Sequence, residues 1–192
     1  MTSDYIKMCV AEYFRYTRQC PIISFERSVI PYASHNPDIL VVSKDRRLIE
    51  IEVKISLSDF RADAKKRIWK HRDAGNAAMP YQFYYAVPYE LKDKVEPILR
   101  PDCGLLLVTE REQFFSKAVF TQKRAPINKR SQKLSLLRAT RMAYNQTGTL
   151  CSLMETNYRL EKLCKQRDSY VDPGSMATPD GSLSSDPADS GL

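Results

Sequence analysis

The sequence predicts an α/β fold, a mixed central sheet flanked by helices, with a helical C-terminal extension. Short runs rich in Ile, Val, Leu and Tyr alternate with stretches of helical period in the order α-β-β-β-α-β-α-β. Gly, Pro and Asp punctuate those runs where turns are needed. The chain has 192 residues, 43% hydrophobic and 28% charged, the balance of a folded globular domain with a core of its own.

Residues 4–19 suit an amphipathic helix, with Tyr5, Met8, Cys9 and Phe14 as apolar positions and Glu12 among them. "PIISFERSVI" reads as the first strand and "DILVVSKD" as the second, ending in a turn at 44–47. "RLIEIEVKI" is the third. Ser56 and Asp59 have the S-x-x-D spacing of a helix cap, and a helix is expected to about residue 72. "YQFYYAV" is a fourth strand, stopped by Pro88; residues 89–99 suit a short helix, and "CGLLLVT" a fifth strand. From about Asn128 the chain reads as helical, in two segments divided near 147–149 by Gly148. The tail from 170 is rich in Pro, Gly, Ser and Asp, a composition that favours disorder. The expected division is a core at 1–113, a basic, mainly helical extension at 114–169 and an acidic tail at 170–192.

Composition narrows the chemistry. No run approaches the roughly 18–20 apolar residues of a membrane span, and the N-terminus has no signal-peptide pattern, so a cytoplasmic location is expected. The five cysteines are odd in number and never spaced as C-x-x-C, as expected of reduced thiols. Gly75, Gly104 and Gly148 are the only glycines before the tail, too few for a phosphate-cradling loop. His35 and His71 are too few for a histidine-rich metal centre. What remains for hydrolysis is a carboxylate site for a hard metal.

The net charge is +7, and the four acids of the tail leave 19 acids against 30 bases, a net +11, in residues 1–169. The stretch 123–141 holds seven Lys and Arg and no acid. A polyanionic partner follows, DNA being the commonest. The alternative is a solvated basic face with no partner.

The third strand has an unusual pattern. Glu50, Glu52 and Lys54 alternate with Ile49, Ile51, Val53 and Ile55, so three charges share one face and four β-branched residues the other. Upstream, Asp38 follows Pro37 at the start of the second strand. Adjacent strands bring two such carboxylates side by side, and Mg²⁺ (or Mn²⁺) needs only one or two carboxylates beside its waters. The Val53 carbonyl adds an oxygen, and Lys54 reaches back toward a bound water or a scissile phosphate. A bare E-x-K is weak: "DAK" at 63–65 and "ELK" at 90–92 match nearly as well, and two more Pro-Asp pairs occur. The alternative is a turn aspartate beside a solvated strand face. The charged face is expected to be exposed, so replacing Glu52 or Lys54 should move stability by about 1 kcal/mol or less.

Asp38, Glu52 and Lys54 spell P-D-x(13)-E-x-K, and here the chain resembles the PD-(D/E)xK nuclease superfamily. "EVKISLSDFRADAKK", followed by "FYYAVP" and "GLLLV", is similar to the MmcB-like DNA-repair proteins. Glu52, Lys54, Ser56, Asp59, Phe60, Asp63 and Lys65 fill that group's E-[IV]-K-x-S-x-x-D-F-x-x-D-x-K pattern, and the resemblance covers roughly residues 38–145. It implies a restriction-endonuclease-like core, a divalent metal and DNA as substrate. The longer "PYASHNPD" approach to Asp38 and the acidic tail depart from the pattern. Some superfamily members take a further carboxylate from the first helix, the place of Glu12. Glu50 either touches a second metal or pairs with Lys54, and Ser56 and Asp59 either cap a helix or join the site. Lys65, Lys66, Lys129, Arg130 and Lys133 are candidate phosphate contacts. Trp69 and the tyrosines of "YQFYYAV" are expected in the core. Three functions stand: a metal-dependent DNA nuclease, a DNA-binding module without cleavage, and a scaffold. In the last, residues 128–169, with "LCSLMETNYRLEKLC", contact a second copy or another protein.

Overall fold

Six strands form one mixed sheet in sequence order, β1 (Ile22–Phe25), β2 (Ile39–Val42), β3 (Leu48–Val53), β4 (Gln82–Pro88), β5 (Gly104–Val108) and β6 (Val119–Lys123). β1–β2, β2–β3 and β5–β6 are antiparallel, while β3–β4 and β4–β5 are parallel. The computed structural model describes residues 1–26, 36–63, 79–111 and 117–169. Lys65, Lys66, Trp69, both histidines, the helix expected beyond 63, the end of the expected first strand and the tail from 170 lie outside them. The chain divides into two units, residues 1–149 and 150–192. No helix of the described residues is long and apolar enough to cross a membrane.

Helix α1 (Ser3–Glu12) is capped by Thr2, whose side chain accepts the Tyr5 N–H, and it continues through a π-helical turn, Tyr13–Thr17. Its inner residues Ile6, Cys9 and Val10, with Phe14, bury one face of the sheet: Ile39 and Val41, Ile49, Ile51 and Val53, Tyr84 and Ala86, Leu106 and Val108. These are the odd positions of β2 and β3, the parity read from the sequence.

The opposite face carries two apolar clusters. Phe60 of helix α2 (Leu57–Asp63) packs on Phe83, Tyr85 and Val87 of β4 and on Leu105 and Leu107 of β5. Leu134, Ala139 and Met142 pack on Ile22, Leu40, Val42 and Leu48. The β3 positions Glu50 and Glu52 run between them.

The structure corrects the sequence reading in three places. β6 was missed and pairs with β5, so the sheet extends past residue 113. Its pattern holds one buried residue, Val119, before exposed positions, which is the weak signature of an edge strand. Residues 128–135 are not helical: they make a turn at Lys129 and Arg130, the Asn128 N–H donates to the Tyr81 carbonyl and the Leu134 N–H to that of Arg46. The Arg47 guanidinium also donates to the Ser131 carbonyl. The segment is thus strapped to the β2–β3 turn and the start of β4. One helix, Leu136–Ser169, follows and runs unbroken through Gly148. At the other end of the strap, a Cβ on Gly104 would lie 2.4 Å from the Tyr84 ring and 2.6 Å from the Ala125 nitrogen, so only glycine admits this close approach.

Candidate active site

The β2–β3 register pairs Ile39 with Ile51 and Leu40 with Glu50. Extended by one residue it sets Asp38 opposite Glu52, and directly opposed residues of an antiparallel pair share a face with Cβ atoms about 4.5–5.5 Å apart. A side-chain bond marks the end of the ladder: the Val53 N–H donates to Asp38 Oδ2 at 2.8 Å. Pro37 has no N–H with which to extend the ladder, and the Asp38 carboxylate takes the Val53 N–H in place of a backbone carbonyl. Asp38 is half-buried. The site therefore lies at the carboxyl end of β3, the end at which α/β sheets present ligands.

Lys54 is the hub. Its backbone N–H donates to the Ala86 carbonyl at 3.0 Å, which continues the parallel β3–β4 pairing past the strand. Its ammonium lies 3.0 Å from Asp63 Oδ1, 3.3 Å from Glu52 Oε2 and 3.8 Å from Asp59 Oδ1. Lys54 is 5% exposed, Glu52 3% and Asp63 1%. Glu50 is fully buried between Leu40 and Phe83, its neighbours on β2 and β4. The charged face expected to be solvated is thus an interior seam.

Helix α2 builds the other wall. Ser56 caps it, its Oγ accepting the Asp59 N–H at 3.2 Å, and the Phe60 N–H donates to the Ser56 carbonyl. Phe60 and Asp63, one turn apart, form its buried face. The Phe60 ring sits 4.6 Å from that of Tyr85, and this packing carries Asp63 to the Tyr85 hydroxyl, which donates to Asp63 Oδ2 at 2.6 Å. Burial, then that hydrogen bond, pushes the Tyr85 phenol far above its ordinary value. Asp63 therefore has Lys54 on one oxygen and Tyr85 on the other, which fixes where the ammonium sits.

Sequence reasoning missed two of these groups as site residues. Asp63 fills a position of the matched pattern without a role assigned to it there, and Tyr85 is expected from the sequence only in the core. Signals existed: Asp59 and Asp63 are four apart on one helix, and Tyr85 is level with Glu52 across β3–β4. A third group, Lys7, comes from α1 and pairs with Glu26 at 2.6 Å, while the Glu26 N–H donates to the Asp38 carbonyl. The Glu26 hydrogen bond raises Lys7 above its usual value, burial opposes this, and the Asp38 charge adds to it. Glu12, the expected contribution of α1, instead forms an ion pair with Arg111 beyond β5. Helix α1 covers the face opposite the seam, so Glu12 and Glu52 diverge.

The basic candidates sit elsewhere. Lys129, Arg130 and Lys133 are exposed on the strap held at the amino end of β3. The six steps from Leu48 to Lys54 set the strap's anchor roughly 20 Å along the sheet from the Lys54 backbone. Lys123 donates to the Arg100 and Pro101 carbonyls.

Among the described residues no group of three or more His, Cys, Asp or Glu is arranged to hold a metal ion. The donors that do adjoin, Asp38 and Glu52, fit the sparser demand of Mg²⁺, which keeps most of its waters.

No known family's profile matches the chain, and no curated protein does. A solved structure does match: the SPO1766 protein of unknown function from Silicibacter pomeroyi, with a TM-score of 0.57 at 20% identity over 82% of this chain and 94% of that one. At that identity the likeness speaks for the mixed α/β fold alone.

Proposed function

We propose that this protein is a metal-dependent DNA nuclease with a restriction-endonuclease-like core, acting in DNA repair, recombination or phage DNA processing. One observation carries the reading: Asp38 meets β3 at Val53, between Glu52 and Lys54, at a strand's carboxyl end, with Lys54 clamped by Asp63. Asp38 and Glu52, with the Val53 carbonyl, are the oxygens to hold Mg²⁺ or Mn²⁺. A bound ion supplies Lewis acidity and lowers the pKa of its water. Lys54 orients the attacking water or places positive charge beside the scissile phosphate. Asp63 and Tyr85 hold that ammonium at one position, so its orientation is set before substrate arrives. A second reading, a DNA-binding module that does not cut, rests on the exposed Lys129, Arg130 and Lys133 of the strap.

A cleavage assay separates the two. Labelled single-stranded, duplex, flapped and junction DNA is incubated with Mg²⁺, Mn²⁺ or chelator, using wild type and Glu52→Gln. Cleavage by wild type with metal, its loss with chelator, and its loss in Glu52→Gln with DNA retention unchanged are expected. No cleavage of any substrate, or cleavage by Glu52→Gln at the wild-type rate, overturns the nuclease. Calorimetric titration of Mg²⁺ into Asp38→Asn and wild type reads the metal site without relying on activity.

A further inference from the structure

In the second unit, every residue of the C-terminal helix from 150 to 166 is solvent-exposed, and Leu150, Leu153, Met154, Tyr158, Leu160 and Leu163 are each more than half so. Helices in proteins owe most of their stability to a packed apolar face, and Thr156 and Asn157 are weak helix formers. The apolar positions have an order. Leu150, Leu153, Asn157, Leu160 and Cys164 follow one another at spacings of three and four, the a and d positions of a heptad, with Met154 and Leu163 flanking the seam. Ala143, one heptad before Leu150, packs against the Leu134–Met142 cluster on the sheet, so the uncovered seam begins at Leu150. Glu155, Arg159, Lys162 and Lys165 fall outside it, and Arg159 pairs with Glu155 at 2.5 Å along that outer side.

We propose that residues 150–164 form a parallel, in-register, two-stranded coiled coil with a second copy of this chain. Asn157 selects both the partner and the direction. In a parallel in-register pair the two Asn157 amides meet in one layer, and each both donates and accepts. An antiparallel pair sets Asn157 against a leucine and buries an unsatisfied amide. The parallel frame also places Glu161 beside Thr156 of the other copy, so no like charges face each other across the seam. The dimer is independent of the nuclease reading.

Cys164 reports the register. It lies in a core layer, where two parallel copies bring their sulfurs together, while Cys151 points outward; both are free and exposed in the single chain. The full chain is examined by light scattering and by oxidation with copper-phenanthroline, which takes two electrons from a thiol pair as two protons are released. A dimeric mass is expected, with a disulfide-linked band that Cys164→Ser removes and Cys151→Ser leaves. Leu153→Glu with Leu160→Glu raises the dissociation constant by at least about 100-fold, with an unchanged near-ultraviolet spectrum showing that the sheet is intact. A monomer at about 100 µM, a dimer indifferent to the two glutamates, or a cross-link through Cys151 overturns the proposal.

Discussion

Replacing Lys54 by Met is expected to destabilise the fold by about 3–5 kcal/mol, the cost of breaking a buried ion pair by removing one partner. The ammonium lies within 3.3 Å of two carboxylates that are 3% and 1% exposed. Asp59, at 3.8 Å with a side chain 47% exposed, contributes little in the screened surface environment. Met preserves most of the volume, so the loss is electrostatic and not that of a cavity. Urea unfolding at neutral pH reads it: with a slope of about 1–3 kcal/mol per molar, the midpoint falls by roughly 2 M. Adding Asp63→Asn to Lys54→Met should recover a large part of the loss. It removes the stranded charge, and the Asn carbonyl still accepts the Tyr85 hydroxyl. A change below about 1 kcal/mol in the single variant would mean that water reaches the seam and that its charges are solvated.

Two further outcomes test other links. The folded Tyr85 binds its proton more tightly than the unfolded chain, so its stabilisation is complete below the unfolded value near 10 and is lost as pH rises toward the folded one. Tyr85→Phe should therefore flatten the alkaline limb of the stability profile by up to about 1.4 kcal/mol per pH unit, and an identical limb in both proteins would contradict the burial. Reversing the charges of Lys129, Arg130 and Lys133 together should weaken binding to all DNA sequences alike and reduce the logarithmic salt slope by about two to three units; an unchanged slope would remove the strap from the DNA interface.

Parity made the centre of the site legible and tertiary packing hid the rest. Glu52 and Lys54 stand out because a strand alternates faces, and Asp38 because it begins the adjoining strand. Their burial was not legible, since it depends on Phe60 and α2 on one side and on Leu134, Ala139 and Met142 on the other. Asp63 and Tyr85 are 22 residues apart and meet only once β4 pairs in parallel with β3. Lys7 enters through Glu26, a residue joined to Asp38 by a backbone hydrogen bond that no sequence pattern announces. The strap at 128–135 has helical composition, yet its amide and carbonyl groups bond to Tyr81, Arg46 and Arg47, so tertiary anchoring overrides propensity.

The charge arrangement itself bears on why cleavage is the better reading than binding alone. Glu50, Glu52 and Asp63 are buried, Glu52 and Asp63 against the Lys54 ammonium, and each ion taken from water carries a desolvation cost of several kcal/mol. A surface that only binds DNA gains nothing from this, because buried carboxylates repel phosphates. The exposed bases that attract phosphates belong to the strap, anchored roughly 20 Å away at the other end of β3, on the face that Leu134 covers. A duplex touching both ends would span about six base steps at 3.4 Å each. In the proposed reading attraction and repulsion are separated along one strand: a DNA backbone drawn in by the strap would meet an acidic end that would accept it with a cation between. Asp38, half-buried and opposite Glu52 by the β2–β3 register, is where such a cation would enter from solvent. Chemistry that needs both a phosphate and a metal at one point uses the separation, whereas a passive clamp is weakened by it.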